Sequence, residues 1–176
     1  LAQRGLYFFG LTNQLNLFKR AVKSAIDTVK ELDKSMTETA VVTDFSVGDM
    51  WKQLPEYTKI ANEYNATLKD TYDVMTLYYQ QGLEQNQVFE VGTETMKMAR
   101  IAGLDYSVAT DRMTNALRGF NMEVNNMNAE HIADVYSQLA AMSASNVKEL
   151  SVAMTKVASL ANSANMSFDN TAAFLA

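Results

Sequence analysis

His131 is the only histidine in the sequence, and imidazole is the side chain that most readily binds metals and moves protons near neutral pH. Glu130 and Asp134 stand close to it, but at helical spacing only Asp134 shares its face. A protein metal site takes three or four ligands, and no HExxH pattern is present. His131 therefore reads as a polar residue in the first turns of a helix. Serine–histidine catalysis would have to recruit the same His131, and no GxSxG elbow surrounds any serine. Carboxylates pair at Asp70/Asp73, Glu90/Glu94 and Glu130/Asp134, all at helical spacing among polar neighbours, as on a solvated face. There is no GxGxxG or GxxxxGK[ST] loop to cradle a phosphate. Cysteine is absent, which excludes disulfides and thiolate metal sites. The expectation is a chain with no catalytic, cofactor-binding or metal-ligating residues, and no cofactor.

The remaining candidates concern contact rather than reaction. Eleven methionines can fill irregular core gaps, and Met96, Met98, Met122 and Met127 are also candidates for an adaptable interface. Trp51 with Tyr57 and Tyr64 reads either as an exposed docking patch or, more commonly, as packing against the next helix. Asn65-Ala66-Thr67 and Asn165-Met166-Ser167 match the glycosylation sequon, but both fall at helix junctions where such residues belong for capping. Residues 1–40 carry a net charge of +2 and residues 41–176 a net of −7. The acidic body repels phosphate backbones, so no specific nucleic-acid binding is expected. No apolar run approaches the ~20 residues of a membrane span.

The elements that would position these residues are helices. A single proline, Pro55, and seven glycines leave too few turn formers for an all-β domain, while Ala, Leu, Met, Lys, Glu and Gln favour helix. Residues 1–11 read as an irregular entry or a short helix interrupted at Gly5 and Gly10. From there Leu15, Phe18, Val22, Ala25, Val29, Leu32 and Met36 alternate three and four apart, a heptad stripe on one long amphipathic helix. Its flanks are weakly charged, with Lys19 and Asp33 on one side and Gln14, Ala21, Thr28 and Ser35 on the other. The stripe serves either to pair copies of the chain or to pack on the chain's own domain. A second helix, from about Val47 to Tyr64, is capped by Ser46 and is expected to bend or split near Leu54, because Pro55 removes a hydrogen bond.

After Thr67 come helices over about 68–81, 85–102 and 106–118, each followed by a glycine and an apolar residue: Gly82-Leu83, Gly103-Leu104 and Gly119-Phe120. Glycine takes the left-handed position after a helix at no steric cost, and the apolar residue packs back on the last turn. Gly82, Gly103 and Gly119 are thus read as helix stops, which makes short antiparallel helices the natural arrangement. Asp105 is placed to cap the helix it opens. Residues 121–127 are a polar connector. Helices over about 128–143 and up to about Ala164 follow, the second opened by Asn146 with Glu149 as a capping box. Asn165 breaks it, and a last helix starts at Phe168. The fold class is all-α: a long N-terminal amphipathic helix, then an array or bundle of short antiparallel helices. The division expected is 1–45 for the extension and heptad helix, and 46–176 for the helical core region. The chain starts at Leu1 rather than Met and ends inside a helical pattern, so it reads as a piece of a longer protein.

From about Met36 onward the text resembles the conserved core region of phage tail tape measure proteins of the siphophage type. LKDTYDVMTLYYQQGLEQNQVFE (68–90) is similar to that family's helix ending in an aliphatic turn and glycine. TMKMARIAGLDYSVATDRMTNALRGFNM (95–122) resembles its helix–glycine–acidic–helix segment, closing on Ala116-Leu117-Arg118-Gly119-Phe120. The stretch 129–176 matches best, with an Ala-rich "ADV" helix, a Ser/Asn turn and a V-x-E-L helix start. Tyr78, Tyr79, Tyr136 and Met98 stand where many members have smaller residues. The resemblance implies a structural protein of the tail lumen or tip, present in several copies and in contact with tail tube and tail tip proteins. It implies a ruler for tail length that leaves at infection. Two other readings stay open: a helical interaction module of a related contractile or secretion apparatus, and an enzyme built on a helical bundle, such as a hydrolase, which would need a pocket of gathered polar groups.

Overall fold

The structure, a computed structural model, describes the backbone of residues 2–142 and 147–176 and the side chains of 16–142 and 149–176. It is all-α. In chain order the helices are α1 (Ala2–Val41), α2 (Val47–Glu63), α3 (Leu68–Gln80), α4 (Gln85–Ala102), α5 (Tyr106–Gly119), α6 (Asn126–Met142), α7 (Val147–Ser163) and α8 (Phe168–Leu175). The first is the longest, and the others pack antiparallel on their neighbours.

Local chemistry explains most helix starts. Ser46, Thr67 and Ser167 each cap a helix by accepting the N–H of the residue three on: Asp49, Asp70 and Asn170. At the first two starts the carboxylate returns the bond to the cap's own N–H, from Ser46 N to Asp49 Oδ2 at 3.1 Å and from Thr67 N to Asp70 Oδ2 at 3.2 Å. Asp105 occupies the cap position of α5 without a side-chain capping bond. Asn146 lies outside the described residues.

Three sequence expectations are corrected. Gly5 and Gly10 do not interrupt α1, which runs unbroken from Ala2. Each glycine costs a helix about 1 kcal/mol but blocks nothing sterically. Pro55 does not split α2 either, for Val47–Glu63 is one helix. The third concerns Gly119. It is the last residue of α5, and the left-handed residue is Asn121 (φ 52°). Gly119 is small for another reason: a Cβ there would stand 2.5 Å from the Cβ of Ala158 on α7. Gly82 and Gly103 do hold left-handed φ, at 82° and 62°.

The core runs through the whole array. Tyr57 of α2 stacks on Tyr72 of α3 with ring centroids 3.9 Å apart, and Phe89 of α4 meets Tyr57 edge-on at 5.3 Å. α4 is central, packing against α3, α5 and most extensively α6. α8 closes the far end, its Phe168 edge-on to Phe120 at 5.4 Å and to Tyr136 at 6.0 Å. Buried polar groups find partners across helix seams. Tyr72 donates to the Met50 carbonyl at 3.1 Å. Thr95 gives its hydroxyl proton to the Val91 carbonyl and so accepts from Tyr78 at 2.5 Å. Arg112 spans the α5–α7 seam, with Nε donating to Ser151 Oγ at 3.1 Å and Nη1 to Thr155 Oγ1 at 3.0 Å.

Candidate interaction surface

Most of the groups that could have done chemistry are engaged in holding helices, while Glu90 and Glu130 lie exposed. His131 Nε2 lies 2.8 Å from Asp169 Oδ1, tying α6 to α8, and it does not pair with Asp134. Asp134 sits 3.4 Å from Lys97, which is also 3.2 Å from Glu94, so that trio staples α4 to α6. Asp70 caps α3, while Asp73 pairs with Lys69 and accepts from Ser35 Oγ at 3.4 Å. Among the described residues no group of three or more His, Cys, Asp or Glu could hold a metal ion. A groove of about 520 Å³ between α3 and the α4–α5 turn gathers Asp70, Asp73, Arg100, Asp105, Tyr106 and Ser107. Burial, and then the Asp70 carboxylate, push the Tyr106 hydroxyl above its ordinary pKa. That makes it a poorer acid, the opposite of what proton transfer at neutral pH asks for.

The contact candidates divide by burial. Tyr57, Met96 and Met98 are core, and Tyr64 and Met122 are half-buried. Trp51 and Met127 are exposed. The aromatic trio is therefore not one docking patch, since its middle member is enclosed.

The heptad stripe divides along its length. At its lower end Leu32 and Met36 are buried, with Ser35 and Thr39 beside them, against α3. Thr39 and Thr76 join hydroxyls across that seam at 2.6 Å. Higher up, none of the described residues covers it. Phe18 is 69% exposed and Val29 55%, with Val22, Ala25 and Ile26 also exposed between them. Leu15 belongs to the same helix, but its side chain is outside those described. Both sequence readings of the stripe thus have a stretch of α1 to refer to. The last two turns pack within the chain, and the three before them present apolar side chains to water. Ile26 adds width to the exposed part and was not singled out by the three-four alternation, because it flanks that line.

Sequence comparison adds a decisive observation: the family model for the phage-related minor tail protein matches residues 52–176, which is α2 from its second turn through α8. The chain belongs to that family. A tape measure protein of Pneumococcus phage Dp-1 is 23% identical over 165 residues, covering 93% of this chain and 14% of that protein. The chain is therefore a distant homologue of a phage tape measure protein and spans about one seventh of that relative's length. No solved structure matches it. The family match begins inside α2 and leaves out α1 with its stripe, whereas the tape measure relative matches over nearly the whole chain. Among the described residues no helix is long and apolar enough to cross a membrane.

Proposed function

We propose that this minor tail protein segment is part of a tape measure protein. In that role it lies in the tail lumen or tip as several copies, sets the length over which tube subunits assemble, and leaves with or before the DNA at infection. The observation carrying the reading is the match to the tape measure protein along 93% of the chain. The physical features agree with it. The side chains clasp helices together, and the acidic body does not hold a polyanion that must pass through the same tube. A ruler whose parent chain is shortened by an in-frame deletion gives proportionally shorter tails by electron microscopy. Tails of unchanged length would rule the role out.

Copies associate, in this proposal, along the exposed turns of α1. From Leu32 on, the chain's own α3 occupies the stripe, so the described part left for pairing is Phe18–Val29, three turns or about 17 Å of helix. The sparse flanking charges set partner choice weakly. Val22→Glu with Val29→Glu changes only exposed positions. It is expected to leave thermal stability of the body unchanged and to abolish concentration-dependent association in sedimentation equilibrium. A parent chain that stays strictly monomeric at high concentration would remove this part.

A further inference from the structure

Five helix connectors share one construction. At Asn65, Gly82, Gly103, Asn121 and Asn165 a single residue turns left-handed, with φ between 52° and 82°. The apolar residue that follows donates its N–H to the carbonyl five positions back: Ala66 to Ala61 at 2.8 Å, Leu83 to Tyr78 at 3.3 Å and Leu104 to Ala99 at 2.9 Å. Met122 to Leu117 at 2.7 Å and Met166 to Ala161 at 2.8 Å complete the set. This is the Schellman closure. What the connectors lack matters as much. Proline commonly follows such a stop, because it cannot continue the helix. The one proline of this sequence is instead inside α2, and no connector contains any. Nothing covalent therefore prevents a helix from running through these junctions. At the α4–α5 junction, Gly103 returning from the left-handed region and Asp105 turning from its extended ψ of 144° to a helical one join two helices into one.

We propose that these left-handed residues are reversible stops, at which adjacent antiparallel helices open into a single continuous helix. The α4–α5 hairpin is the clearest case. Gly103 has no atom within 4 Å of where a Cβ would stand, so a side chain there meets only the backbone conformation, and the packing that opening must undo is that of the buried Leu104. Leu104 and Asp105 are both compatible with helix. Opened, α4 and α5 become one rod of about 50 Å at about 1.5 Å per residue, where the hairpin is only as long as α4. Opening exposes Val91, Met98, Met113 and Leu117, which are buried in the folded array. Copies opened in the same way cover these faces for one another, so the long form grows with concentration. Its use as a way to lengthen a ruler rests on the function proposed above, but the conversion itself does not.

The sequence contains no cysteine, so Glu90→Cys on α4 and Arg118→Cys on α5 give two unique, exposed sites for spin labels in the full chain. Labelled chain is diluted into excess unlabelled chain, and pulsed dipolar spectroscopy reads the distance within one molecule. The folded hairpin gives a short distance, and a continuous helix gives about 42 Å, 28 residues apart along the rod. Gly103→Ala penalises only the left-handed conformation. It is expected to raise the 42 Å population severalfold while the helical circular dichroism is kept. Adding Asp105→Pro keeps the stop, because Asp105 already holds φ −64° and its side chain makes no capping bond. It forbids the continuous helix and is expected to abolish that population. The proposal is overturned if Gly103→Ala leaves only the short distance, if the distance lengthens only as helical signal is lost, or if the 42 Å population survives Asp105→Pro. Tail length plays no part in this readout, so the ruler can fail without it and the reverse.

Discussion

Tyr57 is fully enclosed between Tyr72 and Phe89, and its hydroxyl meets only that of Tyr79, the two forming no hydrogen bond of good geometry and neither having another partner among the described residues. A buried hydroxyl without a partner costs stability that an apolar ring of the same shape does not. Tyr57→Phe is therefore expected to leave the melting temperature unchanged or raise it, by the equivalent of about 0–1 kcal/mol, while keeping the stack. Tyr78→Phe goes the other way, because Thr95 loses the proton donor it now accepts from at 2.5 Å. Burial also governs the alkaline limit. It pushes the Tyr72 hydroxyl up to about 12, and it pushes Tyr64 to about 12 with help from Glu63. Tyr57, Tyr78 and Tyr136 are raised by burial as well. An unfolded chain ionises these phenols near 10.0. A raised folded-state value means that the stabilisation is complete below pH 10 and is lost as pH climbs through about 12. Tyrosinate absorbance and circular dichroism followed together are expected to show the enclosed phenols ionising only as the helical signal is lost. Smooth titration of all eight tyrosines with the fold intact would contradict this burial pattern.

Between helices, α5 lies close on α7 at Gly119. Gly119→Ala places a methyl against Ala158 on a neighbouring helix, and overpacking of this kind costs about 1–3 kcal/mol in thermal or denaturant unfolding. Ala158→Gly in the same chain is expected to restore most of it, and a double-mutant cycle without coupling would exclude this contact as the cause. The same residue shows what sequence could and could not give. Caps are local: a hydroxyl followed three residues later by a carboxylate is readable at Ser46/Asp49 and Thr67/Asp70, and both form. In its neighbouring residues Gly119 is like Gly82 and Gly103, a glycine followed by an apolar residue. Its size answers to Ala158, 39 positions away. The split at Pro55 and the interruption at Gly5 and Gly10 err in the other direction, since a local cost of about 1 to 3 kcal/mol does not by itself decide whether a long helix stays whole. The stripe was visible as a stripe, but periodicity records that a face is apolar and not what lies against it. Leu32 and Val29 are three residues apart in one pattern, and only the first is covered.

Across the whole molecule, the class was readable because proline and glycine scarcity, cap chemistry and apolar period all pointed to helices. The pairing of helices was not, since α4 with α6 and α5 with α7 are chosen by side-chain fit between segments distant in sequence. One feature of that fit reaches beyond mechanics. The interior is rich in thioether: Met36, Met50, Met75, Met96, Met98, Met113 and Met154 are all enclosed, and the chain has no thiol to react ahead of them. Met127 and Met142, 72% and 82% exposed, stand outside. Peroxide is therefore expected to convert those two to sulfoxides quickly with no change in helical signal. The enclosed ones follow only as the array opens, each new polar oxygen then hindering reclosure. Peptide mass spectrometry against time resolves the two phases. In this chain sulfur oxidation is in effect a clock for how often the bundle breathes.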